Sequence, residues 1–568
     1  MSTEVVWLHG LVGVVICGAA LALTDSADIS GLGLFDALPL WGYVGTALLV
    51  SGLFMNLALA SRAALRAAWV HLIALLTVLH GLPGFVEPNP RFPVAWLHVG
   101  FAEAIATDGR LYPQIDARFS WPGFFTAAAY LQRVAGTDDL LWMVRFAPLV
   151  INLLAAVVVF VLAMTLGLDA RPATLAACLF VVFNWIGQDY FAPQAVAFVM
   201  VFCVVVAVLR TFGRRPQSGR AINRLLGSVA PRAPSFTARQ STAVYIGCVV
   251  AVAAMVVSHQ LSPPMLIAML LGLSAVGRIT THRLAWIVAL GFAGWLSYAA
   301  EPYWLGHLDT ITGSVGDVSS VLGANVSERA ERGGSAGREI AVRVRMLLMA
   351  SIWFLAISVM LVRRFRGRLD PALLALFVMP FVPLVLQPYG GEMLLRVALF
   401  TLPSASIVIA GSIDVDALTK RRLIALVGLL SLAVPAFVIA RYGNESYEMV
   451  LDDDLEIVDD LYAIADPGSV VYVKNRITLA LTERVGEVGF RTLPSDIDGA
   501  IVEVRRARAS GDPVYILFSG SQARWAEETQ GREPGWLVEL ADVLASEPDI
   551  RIIRSHGDTR LLEVEQRT

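Results

Sequence analysis

Lysine is all but missing from this 568-residue chain: Lys420 and Lys474 are the only two, while arginine and alanine abound, a bias that points to a GC-rich bacterial genome. Charge of either sign is scarce, at 16% of residues against 56% hydrophobic and a mean hydropathy of +0.65, which excludes an ordinary soluble enzyme. Cysteine is scarce too. Cys17, Cys178, Cys203 and Cys248 all fall inside apolar runs without metal-ligand spacing, so they read as buried small hydrophobes and not as a disulfide framework. No His, Asp and Glu cluster has metal spacing, and the expectation is no metal and no cofactor. Basic residues are missing ahead of the first apolar run, Val5 to Leu23, which also lacks a clear small-residue cleavage site and is expected to stay as a membrane helix.

What the chain does contain is one apolar run after another, each about 17 to 25 residues long and able to cross hydrocarbon. The expected spans are 5–23, 38–60, 67–84, 141–166, 172–187, 191–210, 242–257, 264–278, 284–301, 346–362, 371–388, 394–412 and 423–440. The fold class is therefore an all-α polytopic membrane protein of about thirteen helices, followed by a C-terminal extracytoplasmic α/β domain. Arginine sets the orientation, since short cytoplasmic loops are enriched in Lys and Arg. Arg62 and Arg66, Arg171, the cluster from Arg210 to Arg239, Arg278 and Arg283, Arg363 to Arg368, and Lys420 to Arg422 all fall on alternate loops. The N-terminus is then cytoplasmic and the tail outside, in a multi-pass protein of a bacterial plasma membrane. No expected span holds an acid near its centre, which argues against a proton- or ion-coupled transporter but leaves a passive lipid flippase open.

The outward turns are rich in polar and aromatic residues. NWIGQDYFAPQAVAF (Asn184 to Phe198), SHQLSPP (Ser258 to Pro264), EPYWLGH (Glu301 to His307) and QPYGGEMLLR (Gln387 to Arg396) predict a cavity opening outward. Interfacial anchoring by Trp and Tyr is the simpler alternative. The first large outer loop, 85–140, contains PVAWLHVGFAEAIATDG. Pro93 opens it at a favoured first helical position, and Val94, Leu97, Phe101 and Ile105 recur at helical spacing, so an amphipathic helix at the outer interface is expected. A second interfacial or re-entrant helix follows Pro122.

One loop with two juxtamembrane helices and acidic residues, followed by many spans, resembles the GT-C class of glycosyltransferases, which includes protein O-mannosyltransferases and aminoarabinose transferases. WLHVGFAEAI is similar to the stretch after the family's acidic pair, and YPQIDARFSWPGFF to its second motif. The resemblance covers about 67–440, with 1–66 as two additional helices and 441–568 as the soluble domain. Where O-mannosyltransferases place Asp-Glu, this chain has Val94, Ala95 and Trp96. The resemblance implies inverting transfer of a sugar from a polyprenyl-phosphate donor, a lipid-linked co-substrate, to an envelope glycan or lipid acceptor on the outer face. Such chemistry needs a carboxylate base and donors for the departing phosphate. The candidate bases are Asp116 first, then Glu87 and Asp189, with Glu103 and Asp108 behind them. The candidate substrate-binding residues are His98, Gln188, Gln194, His259, Tyr389, Glu392 and Arg396. A flexible outer loop from Gly313 to Arg345, with Arg329, Arg332, Arg338, Arg343 and Arg345, is expected to order over an anionic donor or lie on head groups. Each carboxylate also has a plain reading as a cap, a turn or a helix end, each His as a structural donor, and Arg396 as a snorkelling partner of Glu392.

The tail reads as helix, strand, strand, helix and a closing strand pair around His556, Gly557 and Asp558. It has no GxGxxG, P-loop or nucleophile elbow, so it is expected to bind acceptor glycan, cap the cavity or hold an envelope protein partner. Two alternatives to the enzyme remain: a non-catalytic envelope-assembly protein with the same fold, and a lipid-linked glycan flippase or polymerase.

Overall fold

The computed structural model describes residues 3–137, 140–214, 236–305, 334–386, 393–475, 478–494, 497–508 and 512–565. Every expected span coincides with a helix or, at 371–386, with a broken helical run: Thr3–Ala22, Gly42–Ala58, Arg62–Val86, Leu141–Thr165, Ala170–Phe183, Pro193–Phe212, Ala238–Ser258, Ser262–Ala275, Arg283–Tyr298, Ala336–Phe365, Pro371–Val378 with its continuation, Met393–Ala410 and Lys420–Tyr442. Among the described residues, seven are long and apolar enough to cross a membrane by length and composition. Several start on polar caps: Ser61 accepts from the Ala64 amide, Asp370 from Ala372 and Thr419 from Arg422, while Thr237 and Gln240 form a reciprocal capping box. Pro at the first turn opens Pro193–Phe212 and Pro371–Val378, where the missing N–H costs nothing.

The first two helices dock on the third through glycine. The buried His71 donates from Nδ1 to Ala67 O at 2.7 Å, and a Cβ at Gly10 or Gly52 would overlap its ring. At one end of the bundle, Arg171 reaches Leu57 O and Asp416, and Arg278 is paired with Asp370 at 3.0 Å. The opposite end carries the C-terminal domain. Among the described residues Arg171, Arg278 and Arg363 thus sit together away from that domain.

The domain is a five-stranded sheet: β1 (Val470–Val473), β2 (Gly489–Thr492), β3 (Val514–Phe518), β4 (Ile550–His556) and β5 (Thr559–Val564), in the order β2-β1-β3-β5-β4. β1 pairs in parallel with β2 and β3, whereas β5 runs antiparallel to β3 and β4. All nine residues of β1 and β3 are buried, because helices cover both faces of these central strands. Beyond the elements legible in the tail, β2 and the helices Ile497–Arg508 and Gly520–Gln530 complete the domain.

The helix Pro93–Asp108 forms, and the domain sits on it: Trp96 packs with Ile457, Leu461 and Val471, and a Cβ at Gly100 would strike Leu481 O. Three expectations are corrected. The stretch from Gly313 to Arg345 is not a loop throughout, since a helix begins at Ala336 and carries Arg338, Arg343 and Arg345, with Ser335 as its cap; Arg329 and Arg332 lie outside the described residues. Cys203 is exposed on the flank of its helix, although the other three cysteines are buried. The helix of the last span runs on to Tyr442, so position 441 falls inside it.

Candidate functional site

The connector between Ala170–Phe183 and Pro193–Phe212 is extended because Asn184 leaves the helix at ψ 63° and Pro193 sets the next start. Its backbone and side chains enter three polar networks at the domain-bearing end of the bundle.

The first is buried. Arg441 Nη2 donates to Asp189 Oδ1 at 2.7 Å and Oδ2 at 2.9 Å, Arg441 Nη1 to Ile186 O at 3.4 Å, and Arg441 Nε to the Tyr442 hydroxyl at 2.9 Å. Asn152 donates to the same carboxylate and accepts from Asn184 at 2.7 Å. His80 Nδ1 stands 3.7 Å from Asp189 Oδ2 while Nε2 donates to Val181 O at 3.0 Å. Burial would raise the Asp189 carboxyl, but Arg441 and then His80 hold it well below the usual range. The Tyr442 hydroxyl donates to Leu79 O at 2.7 Å. This satisfies nearly every group, as a charge out of water requires.

Next to it stands an acidic pair. Arg91 Nε donates to Glu445 Oε1 at 2.8 Å and Nη2 to Glu448 Oε2 at 2.5 Å, and Nη2 also lies 2.6 Å from Glu445 Oε2 as a charge contact outside hydrogen-bond geometry. Glu87 is 3% exposed, and neither of its oxygens receives an N–H or O–H donor. It faces Glu445, so the two carboxyls share a hydrogen bond only when one is protonated. Burial is the main reason both are pushed up, Glu87 to about 7, with Arg91 opposing. Arg145 ties the carbonyls of Gly84, Glu87 and Pro88 at 3.2, 2.8 and 2.5 Å, closing the end of Arg62–Val86. The gap between these residues, lined by His80, Arg91, Arg145, Arg441 and Tyr442, is about 10 Å³, room for about one water.

The second network joins four expected binding residues. Gln194 donates to Gln188 Oε1 and accepts from Arg396 Nη1 at 2.5 Å, with Arg396 only 6% exposed. His259 Nδ1 accepts from Ser262 Oγ at 2.8 Å and from its amide at 3.3 Å; burial and then the charge of Arg396 bring the ring down to about 3, so it is neutral. Tyr389 and Glu392 lie outside the described residues.

The third network lies under the domain. His98 Nδ1 donates to Phe191 O at 2.8 Å, and its ring stacks on Tyr190 at 5.9 Å. Burial, then Arg118, lowers His98 to about 4. Asp116 caps the short helix Ala117–Ser120: Oδ1 accepts from the Arg118 amide and Nε at 2.8 Å each, and Oδ2 from Nη2 at 2.7 Å. Burial opposes, but the hydrogen bond and charge of Arg118 hold this carboxyl below its ordinary value. Of the weaker candidates, Asp108 accepts from the Tyr112 hydroxyl and Glu103 is exposed on the helix.

Sequence reasoning missed Arg441, Asn152, Asn184 as a partner of Asn152, His80, Arg91, Glu445 and Arg118. For Arg441 a signal existed: it is a basic residue at the helix end where the arginine pattern predicts few. Among the described residues no group of three or more His, Cys, Asp or Glu is placed to hold a metal ion.

No protein-family profile matches the chain, and a sequence comparison with curated proteins found no match. Among solved structures, the crystal structure of ArnT from Cupriavidus metallidurans in the apo state superposes with a TM-score of 0.51 at 13% identity, covering 88% of this chain and 98% of that one. The same enzyme bound to undecaprenyl phosphate superposes with a TM-score of 0.47 at 13% identity, over 87% and 98%. ArnT is an aminoarabinose transferase of the GT-C class, and this chain, with its helical bundle, its two juxtamembrane helices and its sheet domain, has a GT-C-like fold.

Proposed function

We propose that the protein is a glycosyltransferase that moves a sugar from a polyprenyl-phosphate donor to an envelope glycan or lipid on the outer face of a bacterial plasma membrane, with inversion at the sugar carbon and no metal or cofactor. The observation that carries this reading is that the 184–194 connector gathers Arg396, Gln194 and Gln188, with neutral His259 beside Arg396, and also holds His98, with Asp116 nearby. The acceptor hydroxyl oxygen attacks the anomeric carbon as the bond from that carbon to the phosphate oxygen breaks. Asp116 takes the hydroxyl proton: among the described residues its Oδ2 accepts only from Arg118 and retains a lone pair. Arg396 presents a planar fork to the departing phosphate, and neutral His259 adds no competing charge. The Asp189 and Arg441 pair holds the connector in place. The arginine-rich loops at the far end support a cytoplasmic location for that end and an outer location for the domain.

A non-catalytic assembly role has one observation in its favour, namely that Asp189 and Asp116 are both paired with arginine and Glu87 is enclosed. Donor consumption decides between the two. Membranes containing the wild type or Asp116→Asn are offered a panel of radiolabelled polyprenyl-phosphate sugars with native envelope extract. Consumption by the wild type alone supports both the enzyme and the base. Consumption by both proteins keeps the enzyme and removes Asp116 as its base. Consumption by neither, while a sibling enzyme in the same membranes is active, supports the assembly role.

A further inference from the structure

The end of the bundle away from the domain holds a cavity of about 480 Å³ where Pro193–Phe212 ends and Ala238–Ser258 and Arg283–Tyr298 begin. Its floor is aromatic, with Phe212 and Tyr245 edge to face at 5.9 Å and 88°. Two of its hydroxyls are structural: Thr280 donates to Phe212 O at 3.1 Å and Thr242 to Ala238 O at 3.0 Å. The others are not. Thr281 Oγ1 accepts from the Arg283 amide at 3.2 Å and so keeps its own proton, and among the described residues the Ser241 and Tyr245 hydroxyls, the His282 ring and the Arg283 guanidinium donate to no protein group. No carboxylate lines the cavity.

Five groups with an unused donor face a space lined by no carboxylate, so a ligand that only accepts hydrogen bonds can be met by all five without meeting an anion. A phosphate does so, and a single arginine matches the single charge of a phosphodiester. Immediately along the same helices the surface turns apolar and open: Ile246, next to Tyr245, is 58% exposed, and Trp286, one turn from Arg283, is 60% exposed. A polar, donor-lined head pocket above exposed apolar flanks fits an amphiphile with a phosphate head and hydrocarbon chains. We propose that this cavity binds the phosphodiester head group of an anionic membrane phospholipid, independently of the transfer chemistry at the other end.

The test uses the full chain purified in detergent and titrated with phosphatidylglycerol or phosphatidylcholine, with bound lipid read by native mass spectrometry. The wild type is expected to retain phosphatidylglycerol through delipidation and to bind it more tightly than the zwitterionic lipid. Arg283→Gln combined with Tyr245→Phe should weaken phosphatidylglycerol binding by about tenfold or more, since a hydrogen bond to a charged group is lost. Arg283→Lys should restore part of it, and rising salt should weaken the wild type more than the double variant. Among the described residues these side chains donate to no other protein group, and Tyr245→Phe keeps the ring on Phe212, so folding should persist, as monodisperse elution and an unchanged melting temperature would show. Equal retention of phosphatidylglycerol by the wild type and a folded double variant overturns the proposal. Binding of soluble glycerol 3-phosphate without any preference for the phospholipid overturns the lipid as its source.

Discussion

Arg441 and Asp189 stand 252 residues apart in the chain, yet form a two-pronged ion pair at 2.7 and 2.9 Å, buried between the last membrane helix and the connector from Asn184 to Gln194. The pair joins the last helix of the bundle to a turn in its middle. It also occupies a carboxylate that, by position alone, reads as a catalytic base.

Removing one partner leaves the other as an uncompensated buried charge. Asp189→Asn or Arg441→Met is expected to cost about 3–5 kcal/mol of stability. The combined variant Asp189→Asn with Arg441→Met should cost less than the two singles together. Thermal unfolding in detergent for the four proteins of the cycle measures the coupling, and additive losses would refute it.

The acidic pair predicts a pH dependence. Glu87 and Glu445 are both pushed up, first by burial, and Glu87 reaches about 7. A carboxyl with a raised folded-state value contributes stability that is fully present below its unfolded value and is lost as pH rises through the folded one. The wild type should therefore lose stability as pH is raised through neutrality. Glu87→Gln, which keeps the shape and removes the charge, should flatten that slope.

If Asp116 is the base, Arg118 sets its working range. Burial opposes, but the guanidinium holds the carboxyl below its ordinary value, so Arg118→Gln should raise it. The acidic limb of the pH profile of donor consumption then moves to higher pH. Asp116→Asn should lower turnover by about 10²–10⁴-fold with little change in melting temperature.

The domain's seat on the juxtamembrane helix is testable at Gly100, where a Cβ would meet the backbone carbonyls of Leu481 and Thr482. Gly100→Ala is expected to cost about 1–3 kcal/mol through overpacking. It should speed proteolysis between Tyr442 and the sheet, whereas Gly109→Ala, at a helix end with open space around it, should not loosen the domain.

Much of the architecture was legible because its signals are local. Apolar runs of spanning length announced the helices, and Pro93 opened the juxtamembrane helix. The strand pair around His556 to Asp558 was marked by a turn between two β-rich runs. The expected binding residues Gln188, Gln194, Arg396 and His259 do come together. Their meeting was not legible, because Arg396 reaches Gln194 across 202 residues of sequence. The loop expected through Arg345 failed for a similar reason. The arginines near its end read as a loop ordering over an anionic donor or lying on head groups, while in the structure Arg345 donates to Ala440 O at 2.6 Å from a helix packed on Lys420–Tyr442.

Composition and periodicity by themselves determined that this is a membrane-embedded helical bundle followed by a sheet domain, because burial in hydrocarbon and in a sheet core are averages over many residues. The partner of each buried charge was decided only by the tertiary structure. Such a contact depends on a few ångströms between groups that lie far apart in the chain: the ion pairs of Arg441 with Asp189 and Arg91 with Glu445, and the hydrogen bond from Arg396 to Gln194. No local pattern encodes such a distance. It follows from how the helices stack, and that stacking brings Arg441 onto Asp189, whereas Asp116 is held by Arg118 only two residues along the chain.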